Sequence, residues 1–432
     1  MKIYIESAGC TRRKVEVTKF YSYFIKNNYA IVYSPKKADY ILVATCAFIK
    51  KEEDQSFERV KELAAFGKKI VVYGCLPDIS PKNFKDAFRN LKVFSPKNIN
   101  DIDAIFPNIT VKFADIKEPH QINESLERKS LRYLIKEAFS SFSFSQEFSN
   151  RTRRSIKKFL GLLNKKRTKW YYLFVSKGCL GNCTYCAIRH SVGPLRSRPI
   201  DTLCTELSSG IKAGYRNFVI LGDDVGAYGK DFDKTFPDIF RAFISTAQQV
   251  SQTVTPVPSI RFYIEEIHPH WMLIYEKEIL EIIKTGMISG ILCPIQSGNN
   301  RILNRMNRSH DSAFIIELTK KIKAIKPDII LATQIIVGFA SETENEFKDT
   351  LGVVKSSHFD IVIIFPYDEK ENTPALVITP KVPLTEIYKR AKYAEKFFNK
   401  EGIAAFLNCA SANEKILSSM LLNHSPKATT LR

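Results

Sequence analysis

The amino-acid sequence predicts an α/β protein: an N-terminal open parallel α/β sheet domain, then a partial (β/α)6 barrel of TIM type, with a short helical extension at the C-terminus. Short apolar runs rich in Val, Ile and Tyr alternate with helix-period segments along most of the chain. Strand–helix–strand alternation of this length implies parallel pairing, with helices on the sheet faces. The alternation stops at about residue 108 and resumes at Trp170 on a larger scale, which separates two units. A chain of 432 residues is long enough for two or three cores.

Residues 1–107 supply the first unit. KIYIESAGC reads as a strand running into a loop, EVTKFYSYFIKNN as an amphipathic helix, ADYILVATC as a strand, DQSFERVKELAAFG as a helix and KKIVVYGC as a strand. All three apolar runs end in a cysteine: Cys10, Cys46 and Cys75. In an open parallel sheet the carboxyl ends of the strands form one rim, where ligands bind, so these residues converge. The plain alternative is three buried free cysteines, each acting as a small apolar residue.

Residues 108–169 read as a basic inter-domain linker with a Phe/Ser-rich middle. Its end, RTRRSIKKFLGLLNKKRTK from Arg151 to Lys169, carries nine basic residues and no acid. Residues 170–379 hold the barrel. WYYLFVSKGC, NFVILGDD, SIRFYIEEIHP, ISGILCPIQSG, IILATQIIVGF and FDIVIIFPY are its six strands. PIDTLCTELSSGIKAG and SAFIIELTKKIKAIK are among the helices between them. A barrel of this kind places its active site at the carboxyl ends of the strands. Residues 380–432 begin with one more helix, TEIYKRAKYAEKFFNKEG, and show no further pattern.

Composition narrows the function. Hydrophobic content of 44% and charged content of 25% are ordinary for a globular protein. No apolar run reaches the ~18–20 residues that span a bilayer, so no membrane role is expected. The start, MKIYIESAGC, lacks a charged leader followed by an apolar stretch; the expected location is the cytoplasm. Nine cysteines in a reducing compartment are metal ligands, catalytic groups or core residues rather than a disulfide framework. A net charge of +20 either attracts polyanions such as tRNA or rRNA or reflects lysine placed wherever solvent tolerates it, and the basic block is a phosphate-contact surface or a solvated linker.

The most informative stretch is 177-KGCLGNCTYCAIRH-190, with Cys179, Cys183 and Cys186 spaced C-x3-C-x2-C. Thiolates at this spacing can wrap one compact centre. Iron–sulfur cubanes normally have four cysteine ligands, one per iron. With three, one iron is left to take a small molecule, as the open position of catalytic zinc does. A zinc site completed by His190 is the competing reading.

The loop, with an aromatic Tyr185 before its last cysteine, resembles the radical S-adenosylmethionine superfamily, in which the open iron chelates the methionine moiety and its electron releases a 5′-deoxyadenosyl radical. The order of blocks is similar to the methylthiotransferases. AGC, ATC and GC-L-P carry Cys10, Cys46 and Cys75; then follow SKGCLGNCTYCAIRHSVGPLRSRP, ILGDDVGAYGKD (220–231), IRFYIEEIHP (260–269), PIQSGNNRILNRMNR (294–308) and IIVGFASETENEF (335–347). The resemblance implies two [4Fe-4S] clusters, one on each cysteine trio. It implies S-adenosylmethionine bound near Tyr185, Gly222, Asp223, Gln296 and Gly338, and a reducing partner such as flavodoxin or ferredoxin. Cys204, Cys293 and Cys409 fit core packing, and His268 and His310 fit loop or surface positions.

Several positions depart from the family form. Arg13 stands where the family usually has Asn, and Ala44 precedes Thr45 where the usual pattern is N-T-C. Asp223 and Asp224 replace an amide pair, and Gln334, Ala340 and Ser341 alter the block around Gly338. YDEKENTPA (367–375) replaces a form that carries Ser and Arg. No C-terminal TRAM module is recognised after Pro380. The implied reaction is insertion of a methylthio group at an unactivated carbon. Its substrate is a modified adenosine in tRNA, or alternatively an aspartate-like carbon in a peptide or protein; a non-catalytic iron–sulfur redox or RNA scaffold is the third reading.

Overall fold

The structure is a computed structural model that describes residues 1–7, 9–123, 170–254 and 259–407. The basic block from Arg151 to Lys169 and Cys409 lie outside the described residues.

In the first unit β1 (Lys2–Ser7), β2 (Ala30–Val32), β3 (Tyr40–Thr45), β4 (Lys69–Gly74) and β5 (Lys92–Phe94) form one parallel sheet in the order β2-β1-β3-β4-β5. Helices α1 (Thr11–Lys26) and α2 (Lys50–Ala64) provide the crossovers. Register places Thr45 opposite Gly74 and Ala44 opposite Ser7, so β1, β3 and β4 end together and the next residues share a rim. Gly74 has φ +118°, and a Cβ there would lie 2.3 Å from the Thr45 carbonyl oxygen. Glycine is required where the two strand ends come this close.

The second sheet has seven parallel strands, one more than expected. They are β6 (Trp170–Phe174), β9 (Asn217–Leu221), β10 (Arg261–Ile264), β11 (Ile288–Leu292), β12 (Ile330–Val337), β13 (Ile361–Pro366) and β14 (Ala404–Leu407), side by side in chain order. Between the first two, the antiparallel ribbon of β7 (Ser176–Lys177) and β8 (Arg196–Ser197) closes the base of the three-cysteine loop.

Alternation along the strands explains the double burial. Phe218, Ile220, Phe262, Leu331, Val362 and Ile364 join the core under the outer helices. Val219, Leu221, Tyr263, Ala332, Ile361 and Ile363 join another, continuous with Ile3, Phe20 and Tyr73 of the first unit. A period of two thus feeds both faces of a sheet that has no wet side. The outer layer contains α7 (Ile200–Lys212), α8 (Phe236–Gln252), α12 (Ser312–Ile325) and α13 (Glu344–Ser356). Two of them start in capping boxes, Thr235 with Asp238 and Thr343 with Glu346, which satisfy amides that a helix start leaves free. Among the described residues no helix is long and apolar enough to cross a membrane.

The helix expected after residue 380, α14 (Leu384–Lys400), leads into β14, and β14 pairs in parallel with β13 from Ala404 opposite Ile361 to Leu407 opposite Ile364. Phe398 is fully buried in the outer core. Phe398→Ala is therefore expected to cost about 3–5 kcal/mol, the range for an emptied aromatic core site. Chemical denaturation measures it; a loss below about 1 kcal/mol would make residues 384–407 an appendage instead of a barrel unit.

Candidate metal centre

The carboxyl ends of both sheets meet, and all six motif cysteines lie there. Cys10 precedes α1 at its N-cap position and leaves its side chain out of the cap. The amide of Cys46 donates to Ser56 Oγ at 3.0 Å, and the Ser56 hydroxyl donates back to the Cys46 carbonyl at 2.8 Å, fixing the turn from β3 into α2. Cys75 follows β4 directly, its amide donating to the Thr45 carbonyl at 3.3 Å. The thiols are close enough to act on one another. Burial pushes Cys46 up, and the charges of Cys10 and Cys75 push it further; burial also raises Cys75, against the nearby Arg13.

The second trio is held by its own backbone. Gly178 takes φ +84°, and a Cβ there would lie 2.0 Å from the Pro194 oxygen, so the loop can close only with glycine. The Gly181 amide donates to Cys179 Sγ at 3.2 Å. A Cβ built on Gly181 would lie 3.1 Å from Cys179 Sγ and 3.8 Å from Cys183 Sγ, a cradle that any larger residue would fill. Arg308, buried, donates to Cys183 Sγ at 3.5 Å and to the Pro294 carbonyl at 2.5 Å. Tyr185 lies beside Cys183, and burial, with the Cys183 charge adding, raises its phenol. Burial raises Cys179, with Asp224, Cys186 and Cys183 adding to it, and pushes Cys186 up to about 11, with Cys183 adding. A bound cation would offset both the burial and the mutual repulsion that oppose ionisation of these thiols.

The two trios are neighbours. Ala187, next to Cys186, packs into the same small core as Cys75, Leu76 and Ile79, and Ser191 in the following helix lies by the Cys75 thiol. Among the described residues no three His, Cys, Asp or Glu side chains are set to hold a single metal ion. His190, the ligand of the competing zinc reading, instead has Nε2 3.3 Å from the Asn372 carbonyl oxygen.

The remaining predicted residues ring this rim. Gln296, after β11, sits at φ +69° and bridges to Ile335, and its buried Oε1 has no partner. Glu266, after β10, also lies in the left-handed region at φ +58°. Such outliers cost about 1–3 kcal/mol each and cluster where function holds the backbone. The Gly222 carbonyl accepts from Arg12 at 2.8 Å, and Asp223 accepts from the Gly178 amide at 2.8 Å. Gly338 has φ +80°, donates to Glu342 at 2.7 Å and lies against Ile387 of α14. The donor set and the cradle at Gly181 fit an iron–sulfur cube. The orphan amide oxygen of Gln296 fits a polar ligand beside it.

Cys293 is buried and Cys204 half-buried, both within or against the outer core, as the packing reading expects. His268 and His310 sit on loops, but neither is a surface group. His310 is buried. His268 Nδ1 lies 3.4 Å from Asp224 and 3.4 Å from Arg308, and Trp271 Nε1 donates to Asp224 at 2.7 Å. Spacing did not single out Arg308, Glu266, Glu53 or Lys370. Arg308 and Glu266 stand inside recognised blocks and Lys370 inside the divergent segment 367–375, whereas nothing local marks Glu53.

Glu53 and Lys370 join the units at another point. Both are buried, 2.7 Å apart, with Ser80 donating to Glu53 at 2.6 Å and Asp368 2.6 Å from the same ammonium. Burial opposes ionisation of Glu53, but Lys370 and Ser80 outweigh it and hold its carboxyl below the usual range. A depressed carboxylate gives stability above its unfolded pKa and loses it as pH falls through the folded one.

Comparison with known proteins agrees with this layout. Residues 173–354 match the model of the radical SAM superfamily, and residues 2–95 match that of "Uncharacterized protein family UPF0004". The chain is 28% identical over 390 residues to the ribosomal protein uS12 methylthiotransferase RimO of Acetivibrio thermocellus, covering 88% of this chain and 78% of that protein. It is 27% identical over 390 residues to the tRNA-2-methylthio-N(6)-dimethylallyladenosine synthase of Bacillus subtilis, covering 89% and 69%. Among solved structures, the radical S-adenosylmethionine methyltransferase TsrM of Kitasatospora setae superposes with a TM-score of 0.57 at 8% identity, over 87% of this chain and 75% of that one; the likeness is one of fold.

Glu53→Gln is expected to lower stability at neutral pH by about 3 kcal/mol, the low end for a broken buried pair because Lys370 keeps Asp368. It is also expected to flatten the loss of melting temperature below about pH 4.5. Thermal melts from pH 7 to 3 on both proteins check it; parallel curves would remove Glu53 from the acid-sensitive set.

Proposed function

The chain is a radical S-adenosylmethionine enzyme of the methylthiotransferase family, and from that premise we propose that it inserts a methylthio group at an unactivated C–H carbon of a modified adenosine in tRNA. The observation that carries the reading is the meeting of two separate three-thiol sites on facing strand-end rims. In this reading Cys179, Cys183 and Cys186 hold one [4Fe-4S] cluster, and Cys10, Cys46 and Cys75 hold a second. When bound, the clusters and S-adenosylmethionine supply hydrogen abstraction, sulfur and the methyl group.

The chain's own residues do the holding. Arg308 and the Gly181 amide direct N–H groups at Cys183 and Cys179, which spreads thiolate charge and fixes sulfur positions. Gln296 offers its orphan oxygen to the cofactor, with Tyr185, Gly222, Asp223 and Gly338 on the same set of loops. A small reductant such as flavodoxin or ferredoxin supplies electrons, and the cytoplasm is the compartment in which this chemistry is kept reduced.

The charge of +20 and the basic block before Trp170 favour a nucleic-acid substrate. A second reading, modification of a protein side chain, rests on the similarity to uS12-modifying relatives, as close as that to the tRNA synthases. Binding of unmodified tRNA at rising salt separates them. An RNA enzyme with about six phosphate contacts loses about a thousandfold in affinity between 50 and 200 mM salt. The nucleosides of tRNA from a strain lacking the protein should lose the mass of SCH3 in place of H. Salt-independent, weak tRNA binding with the mass loss found in a ribosomal peptide would reject the RNA reading.

A further inference from the structure

Arg12 and Arg13 follow Cys10 by two and three residues, and both reach across to the barrel. Arg12 lies 2.6 Å from Glu266 and 3.8 Å from Asp223; Arg13 lies 3.5 Å from the same Asp223 oxygen. The other Asp223 oxygen accepts from the amide of Gly178, the residue before Cys179. A second route runs beside it. Arg13 pairs with Glu16, which accepts from Tyr73 at 2.5 Å and lies 3.2 Å from the Lys177 ammonium. The Arg13, Asp223 and Glu16 side chains are 4%, 5% and 1% exposed, so little water screens them.

Resting on the reading above, we propose that this seam of buried charge is the positioning device that sets the separation of the two clusters. Arg13 is its central positioning residue. Both routes start within six residues of Cys10, on the start of α1, and end on the two residues that precede Cys179. Each therefore ties the first cysteine of one trio to the first cysteine of the other. Several inter-domain contacts would hold the units together; this one runs between the loops that carry the sulfur atoms. Sulfur transfer between two centres depends on their spacing, and a misplacement of about 1 Å at a reacting centre can cost about a hundredfold in rate. Radical formation needs only one centre and is insensitive to it. The charges at positions 13 and 223 are also two of the departures from the family form, and they are opposite in sign and meet. Each makes the other tolerable in a buried place.

The test uses the full chain reconstituted with iron and sulfide. It reads the dipolar broadening between the two reduced clusters by electron paramagnetic resonance, and the ratio of methylthiolated product to 5′-deoxyadenosine. Arg13→Gln is expected to change the broadening and to lower the ratio about tenfold or more, while 5′-deoxyadenosine formation stays within about threefold. Arg13→Lys, which keeps the charge, should keep most of the ratio. The melting temperature and iron content of both Arg13 variants guard against reading misfolding as a change of spacing. Unchanged broadening and ratio in Arg13→Gln, even with a lower melting temperature, would reduce the seam to a stabilising contact and overturn the proposal. So would a ratio in Arg13→Lys as low as that in Arg13→Gln at equal iron content. A wild-type protein with only one cluster signal would instead overturn the reading on which the proposal rests.

Discussion

Buried charge is what fastens the two halves of this molecule. Arg12 and Arg13 from one unit enter a rim lined by Asp223 and Glu266 from the other, and Lys370 returns the gesture by reaching Glu53. Burying a lone guanidinium or carboxylate is costly, and removing one partner of a buried pair costs about 3–5 kcal/mol. Geometry at the seam is therefore set by charge matching, with the apolar core that runs from Ile3 and Phe20 to Val219 and Ile361 filling the space beside it. The cysteine trios inherit their positions from the same loops.

Much of this architecture was legible in the sequence because it is local. A strand that stops in glycine and cysteine declares both its end and its chemistry, and register then aligns Cys46 with Cys75 without further instruction. The C-x3-C-x2-C loop announced an incomplete ligand set. What stayed hidden is long-range or weakly patterned. Arg13 and Asp223 are 210 residues apart, and neither shows its partner in a linear reading. Strand β14 is the short segment AAFL, which lacks β-branched residues and follows a glycine-ended helix; only its pairing with β13 makes it a strand. His310 fits a loop or surface position in the linear reading, and it does lie on a loop, but buried close to Arg308.

The charged departures from the family pattern acquire a physical sense once placed. Arg13 and Asp223 form one side of the seam, and Lys370, inside the replaced segment 367–375, forms another. Asp224, the second of the two acids, is held by Trp271 and His268 and is pushed up to about 7 by burial. In three dimensions Arg13, Asp223 and Lys370 are buried and each has an oppositely charged partner. The reacting loops keep their glycine turns, their strained Gln296 and Glu266, and all six thiols.

The central claim is that each cysteine trio grips its own four-iron cluster. Iron and sulfide analysis with Mössbauer spectroscopy on the anaerobically rebuilt protein tests it most directly. About eight irons per chain are predicted for the native sequence and about four, in a single cubane environment, when Cys10, Cys46 and Cys75 are replaced together by Ala. About four irons in both proteins would contradict the account.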